Sequence, residues 1–440
     1  MNEIKDSIHE LVKKRRPILL VAFLVYLLAT FHRNLPAVMG PRLIEDIGLT
    51  PAIFGTMGLA YMWGYALMQM PVGAITDKVG SRKSMTLFLG LAVIGAGFFA
   101  AAFNAAMLIL SRILIGMATA GFFIGAAKVV ASWYPKKDFG RINSLLLGIG
   151  AIGGVFATTP MEGLMAAFGW RMAIVIILII TLVLIFASHF IIRDQPSDVG
   201  LSPPDVLLQT DKAEPQTEKV SQATTDKEKT SGFLELVKNP GILLIGLYFI
   251  GVNSTGQVFA ALWGGVLLED VYGFAEATAA DILFLLNLSL VIGCFTAFFV
   301  LDKIRAGGVM ISGAALFTFT LFYAAVFLPD LTAAQISIIY AVIGFSLMYC
   351  VSGGFAMLRQ IVSPKLIGGA LGLANGFSWL IGAGLFQQLW GLILSSVSPE
   401  RPYAVDGFTL ALWVQFAMLC LSLLFAVYLT ITFKKREQEY

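Results

Sequence analysis

Long apolar runs broken by short polar clusters set the pattern of this chain. A helix needs about 20 mostly apolar residues to cross a bilayer's hydrocarbon core. About twelve stretches reach that length, near 17–43, 52–76, 83–103, 107–132, 139–165, 171–192, 240–268, 276–301, 307–328, 334–360, 366–392 and 408–433. One long polar segment, 193–239, interrupts them and is rich in Lys, Glu, Asp, Thr, Gln and Pro. It reads as a flexible linker between two six-helix halves, 1–192 and 240–440. The expectation is an all-α membrane protein of two six-helix bundles.

Composition agrees. Hydrophobic residues make up 58% of the 440 residues and charged ones 13%, against roughly 45–50% and about 25% in soluble domains. Mean hydropathy is +0.83. A soluble fold of this size is excluded for want of polar surface. The first sixteen residues are polar and basic, and no small-residue cleavage site follows the first apolar run. That run is therefore expected to be a retained span.

Cys294, Cys350 and Cys420 each lie inside an apolar run and read as packing residues. His9, His32 and His189 are far apart, and no HExxH, CxxC or Walker-type loop is present. No metal or other cofactor is expected, nor a nucleic-acid partner. An intramembrane enzyme or receptor would need a nucleophile–base pair, a metal cluster or a sizeable soluble domain. None is found, so the chain is read as a non-enzyme.

Basic residues set orientation, because basic loops resist translocation. Most of the 30 fall on one side, in the first sixteen residues, the linker, the C-terminal tail and the loops at Lys78–Lys83, Lys136–Arg141 and Lys303–Arg305. Arg42, Arg171 and Arg401 fall on the other side, and Arg33, Arg112 and Lys128 within spans. Both termini and the linker are expected to be cytoplasmic; in a bacterium the membrane would be the inner one. The halves also resemble each other: Asp77-Lys78-Val79-Gly80-Ser81-Arg82-Lys83 follows the second span, and Asp302-Lys303-Ile304-Arg305 the eighth. Weak internal repetition of this kind places a solute site between two related bundles.

The stretch Gly73-Ala74-Ile75-Thr76-Asp77-Lys78-Val79-Gly80-Ser81-Arg82-Lys83 resembles the cytoplasmic loop signature of the major facilitator superfamily. The resemblance implies a latch between the halves, made by Gly73, Asp77, Gly80, Arg82 and Lys83, with Asp302 and Arg305 as a degenerate copy. The helix starting near Gly368 is the implied partner of Asp77, and the one near Phe139 that of Asp302. The plainer alternative is a basic loop that only sets topology. Residues 20–175 resemble the anion:cation symporter branch, through His32-Arg33-Asn34-Leu35, Tyr61-Met62-Trp63-Gly64-Tyr65, Gln69, Arg112-Ile113-Leu114-Ile115-Gly116 and Gly169-Trp170-Arg171. The stretch from Pro36 to Gly80 also resembles phagosomal-transporter-type nutrient carriers, which take amino acids or nucleosides.

A charge inside a span costs several kcal/mol unless it meets a partner or a cavity, so each is a functional candidate. The resemblance points Arg33 and Arg112 into a central cavity, where a guanidinium can grip a carboxylate bidentately. The alternative for Arg112 is a brace that bonds carbonyls of the first helix. Lys128 lies sixteen residues past Arg112, about 160° around the helix, so an unbent helix points one of them elsewhere. No Asp or Glu sits mid-span; Glu162 and Asp281 lie near span ends. Basic residues without a carboxylate favour an anionic solute.

The symporters' fourth-helix glutamate is Thr119 here, and the acid beside their first-helix arginine is His32. Any proton dependence is therefore expected to run through His32 or through protonation of the solute, the alternative for His32 being a packed, neutral ring. Further solute candidates are Tyr61, Tyr65 and Gln69 in the second span, Asn253 and Gln257 in the seventh, and Asn375 and Trp379 in the eleventh. Gly148, Gly150, Gly153 and Gly154 in the fifth span permit close helix packing. The glycine–proline pair of drug antiporters is absent, which disfavours multidrug efflux. The main expectation is a monomeric carrier in the lipid bilayer, moving a small organic anion by alternating access, with a proton or other ion as a possible co-substrate. The rival is a carrier of zwitterionic or neutral nutrients.

Overall fold

Glycine decides where the chain doubles back. In the computed structural model, which describes residues 2–202, 239–301, 303–328, 330–361, 367–397, 399–401 and 403–438, ten helices are long and apolar enough to cross a membrane. Two of them, of 50 and 47 residues, far exceed what about 30 Å of hydrocarbon can take. Each is bent back on itself at a glycine with positive φ: Gly80 (φ 86, ψ 163) and Gly169 (φ 76, ψ 158). Counting each as two crossings gives twelve spans among the described residues.

The first half consists of α1 (Asn2–Asn34), α2 (Pro36–Ile47), α3 (Pro51–Ala100), α4 (Ala105–Trp133), α5 (Lys136–Phe156) and α6 (Thr159–Ile191). The second half has α7 (Pro240–Gln257), a π-helical turn Val258–Trp263, α8 (Gly264–Asp270), α9 (Glu276–Leu301), α10 (Ala306–Phe327) and α11 (Ala333–Ile361). It ends with α12 (Ile367–Phe377), a second π-helical stretch Ser378–Leu385, α13 (Phe386–Val397) and α14 (Val405–Gln438). Helix starts follow local chemistry: Thr50 before Pro51 and Asn239 before Pro240 accept main-chain N–H bonds from Ile53 and Gly241. Asn104 does the same for Met107 at 3.0 Å.

Within the first half α3 packs on α4 and α6, and α1 on α4 and α5; within the second, α9 and α10 pack on α11, and α10 on α14. The fifth-span glycines work as expected. A Cβ on Gly153 would strike the main-chain oxygen of Leu27, and one on Gly154 would strike Asn34 and Asn287. The outer surface carries Leu20, Leu67, Phe186, Phe190, Phe319, Ile338 and Leu424 exposed, as a protein wetted by acyl chains should. The chain is a multi-pass integral membrane protein.

The start of the expected linker departs from the sequence reading. Residues 193–202 are built against the first half. Asp194 Oδ1 accepts the Arg82 N–H at 2.8 Å, Asp198 accepts from the N–H groups of Asp194 and Gln195, and Trp133 donates to Arg193 O at 2.9 Å. The flexible reading of 193–202 fails because this local capping holds the chain as it leaves α6. Residues 203–238 lie outside the described residues.

Candidate functional site

Arg33 sits one residue from the end of α1, between the halves. Its guanidinium lies over the Trp379 ring of the second half, 4.9 Å from the centroid. Around it are the phenols of Tyr26, Tyr61 and Tyr65, all within electrostatic reach. Tyr65 also packs on Trp379 at 5.6 Å and reaches Gln69. Among the described residues Arg33 has neither a carboxylate nor a hydrogen-bond acceptor, and its Nε is buried without a partner. A charge at mid-membrane costs about 2.5–3.5 kcal/mol on insertion scales. A cation–π contact returns about 0.5–2 kcal/mol. The arginine is left under-compensated.

Arg112 is otherwise placed. It is 1% exposed, donates through Nη1 to His32 O at 2.8 Å and lies over Tyr61, 4.2 Å from the centroid. Tyr61 in turn bonds Ala29 O at 3.2 Å and Thr119 Oγ1 at 3.0 Å. Arg112, Tyr61 and Thr119 thus form a knot that ties the first, second and fourth spans together. The cavity orientation expected for Arg112 and Tyr61 gives way to bracing, because Arg112 Nη1 is bonded to a main-chain oxygen and the Tyr61 hydroxyl to Ala29 O and Thr119, although Arg112 Nε is buried without a partner. His32 is 1% exposed and neither ring nitrogen has a partner. It faces packed side chains, not a cavity, and lacks an acceptor for an imidazolium proton.

Lys128 also leaves the candidate solute site. Its Nζ donates to Asp77 Oδ1 at 2.9 Å and Thr76 O at 2.7 Å. α4 is unbroken from Ala105 to Trp133, so its helical rotation turns Lys128 away from Arg112. The loop signature thus makes its contacts inside the first half: Asp77 with Lys128, the Arg82 main-chain N–H with Asp194, and the Arg82 guanidinium with His189 at 3.4 Å. Gly80 is needed twice, for its φ and because a Cβ there would strike the Asp194 carboxylate. A Cβ on Gly73 would meet nothing within 4 Å, and Lys83 is exposed. Asp302 lies outside the described residues; Arg305 precedes α10, its carbonyl accepting from Gly308 N at 2.9 Å.

In the second half Asn253 donates to Ser378 Oγ, and Asn375 Oδ1 accepts from Trp379 Nε1 at 3.0 Å. Both bonds fix the π-helical stretch that carries Trp379. The Gln257 carbonyl accepts from Gln387 at 3.1 Å while its own Oε1 stays buried without a partner. Irregular helix in a membrane is tolerated where it is buried or lines a site, and π-turns often mark function.

Sequence reading missed Tyr26 and the contacts that join the halves. Tyr26 precedes Arg33 by seven residues, two helical turns, and so shares its face; that spacing was the available signal. Across the halves, Asn34 donates to Asn287 at 2.8 Å, Trp63 to Leu380 O at 3.1 Å, Thr159 to Asp281 at 2.8 Å and Tyr403 to Leu49 O at 2.8 Å. Thr159–Asp281 and Tyr403–Leu49 lie at the end away from the linker, which is closed, and Asn34–Asn287 lies deeper between the halves.

Twelve spans among the described residues, two halves meeting over a half-buried arginine, and a glycine-turned basic loop give the architecture of the major facilitator type. The family model described as Major Facilitator Superfamily matches residues 22–387; the chain belongs to that family. A Bacillus subtilis hexuronate transporter is 23% identical over 375 residues, 82% of this chain and 84% of that one. A Cupriavidus necator protein named as a probable sulfoacetate transporter is 28% identical over 188 residues, 42% of this chain and 43% of that one. The matched stretch therefore spans less than half of that relative. A bacterial homologue of the human lysosomal transporter Spinster, in an inward-facing and occupied conformation, superposes with a TM-score of 0.77 at 17% identity, covering 96% of this chain and 98% of that chain.

Proposed function

We propose that the chain is a secondary transporter for a small organic anion bearing a carboxylate or similar acid group, and that it works by alternating access. The observation that carries this reading is Arg33, charged at any physiological pH, set between the halves and without an anionic partner among the described residues. A bound solute acid supplies what the protein withholds. The relatives named for hexuronate and sulfoacetate, both acids, support the same class. One chain furnishes both the arginine and the facing indole, so a single chain suffices as the working unit.

The distribution of basic residues supports a cytoplasmic placement of both termini and the linker. With the far end closed, the described state then opens toward the cytoplasm. In this reading Tyr26, Tyr65, Gln69 and Trp379 shape the pocket around the arginine, while Asp77 and Lys128 bias its opening.

Binding to purified wild type, Arg33→Lys and Arg33→Gln tests the reading, with sugar acids, mono- and dicarboxylates, amino acids and nucleosides as probes. Lysine keeps the charge and loses the planar fork, so affinity for the true solute should fall by about 1–3 kcal/mol. Glutamine should nearly abolish it. Equal affinities on well-folded variants would make Arg33 a structural brace. Binding confined to nucleosides would remove the anion class.

A further inference from the structure

One arginine joins carboxylates from both halves at the closed end. Arg42 on α2 donates through Nη2 to Glu162 at 2.8 Å, and the same nitrogen bonds Glu276. Glu162 belongs to α6 in the first half, and Glu276 opens α9 in the second. Arg42 and Glu162 are largely covered, with side-chain exposures of 17% and 9%, while Glu276 keeps 45%. Arg42–Glu276 joins the halves, whereas Arg42–Glu162, Asp77–Lys128 and Asp46–Arg171 lie within the first half.

Among the described residues the other cations at this end are Arg171, paired with Asp46, and Arg401, which is exposed; the remaining charged groups are acids. Glu269 on α8 is half-buried and within electrostatic reach of Glu162, Glu276, Asp270 and Arg42. Glu45 and Asp270 are exposed. Asp46 accepts from Trp170 at 2.6 Å and Arg171 at 3.2 Å, and Asp281 from Thr159 at 2.8 Å. Tyr403 donates to Leu49 O, and the Tyr272 ring stacks on Phe274. Among the described residues Arg42 is therefore the cation that meets Glu162, Glu276 and Glu269.

We propose that this cluster is a proton-binding site that controls the opening of the far end. With Glu162 and Glu276 ionised, Arg42 ties α2 and α6 to α9 and holds the end shut. A proton on Glu276 replaces its charge-assisted bond to Arg42 with a neutral one about half as strong, and the tie between the halves, which runs through that pair, weakens. The guanidinium does not titrate, so the carboxylates carry the whole response. This places proton sensitivity outside the central site, where Thr119 is bonded to Tyr61 and His32 is sealed. The inference rests on the alternating-access reading but on no particular solute.

The test is a distance measurement across the closed end in lipid nanodiscs without solute. Spin labels go on Phe103→Cys and Glu400→Cys, in exposed loops of the two halves, in a background of Cys294→Ala, Cys350→Ala and Cys420→Ala. Wild type should gain long-distance population as pH falls from about 8 to about 5, the range over which carboxylates begin to bind protons. Glu276→Gln should raise the open-to-closed ratio at the higher pH by about fivefold or more and flatten the pH response. Exchanging the charges, Arg42→Glu with Glu276→Arg, should restore closure relative to Arg42→Glu by itself. A wild-type distance that ignores pH, or a Glu276→Gln profile that overlays wild type, overturns the proton gate. Because no solute is present, neither result bears on the Arg33 binding series.

Discussion

Arg112 reaches from the fourth span to the main-chain oxygen of His32 at 2.8 Å, one residue before the arginine that has no such bond. Two intramembrane arginines of the same chemistry thus divide their tasks: Arg112 holds the first helix in place and Arg33 stays free beside it. Substituting Arg112→Lys loses the stack on Tyr61 and strains the bond to His32, at a cost of about 1–3 kcal/mol. The unfolding midpoint in detergent should fall, while solute affinity changes less than in Arg33→Lys. Unchanged stability together with a tenfold or greater affinity loss, about 1.4 kcal/mol, would return Arg112 to the solute.

Asp77 and Lys128 are 81% and 32% exposed, and an exposed pair of this kind contributes about 0–1 kcal/mol to stability. Asp77→Asn should leave the protein folded and inserted with a near wild-type unfolding midpoint, yet slow transport, because a small bias is enough to shift a two-state equilibrium. If the pair acts as a unit, adding Lys128→Met to Asp77→Asn should cost little more in rate. Additive losses, or a full transport rate for Asp77→Asn, would sever the loop from conformational control.

Gly80→Ala should be the most damaging small substitution in the loop. Its backbone, at φ 86 and ψ 163, lies in a region essentially reserved for glycine, and occupying it with alanine costs about 1–3 kcal/mol. The new Cβ would also displace the Asp194 carboxylate from the Arg82 N–H. Tryptic cleavage after Arg193 should accelerate as the docked segment loosens. A cleavage rate equal to wild type would mean that the turn relaxes without releasing Asp194.

Much of the fold was written in local runs. Twenty apolar residues must span a bilayer wherever they occur, so the spans, the doubling-back at Gly80 and Gly169, and the in-membrane position of Arg33 follow from sequence. The glycine spacing of the fifth span likewise announced the close approach to Leu27 that Gly153 makes. Helical period told that Arg112 and Lys128 point apart, and they do.

Tertiary structure decided which neighbours those faces meet. Period gives a direction but not a partner, and partners here come from far along the chain. Lys128 finds Asp77 at a separation of 51 residues, while Arg42 finds Glu162 and Glu276 at 120 and 234. Arg33 meets Trp379, which lies on a π-helical stretch of the eleventh span. Sequence by itself therefore fixed the membrane and the charges within it. Packing determined that Arg112 meets the His32 carbonyl, Arg42 two carboxylates and Arg33 an indole ring, because desolvated charge is compensated by whatever the fold brings within reach.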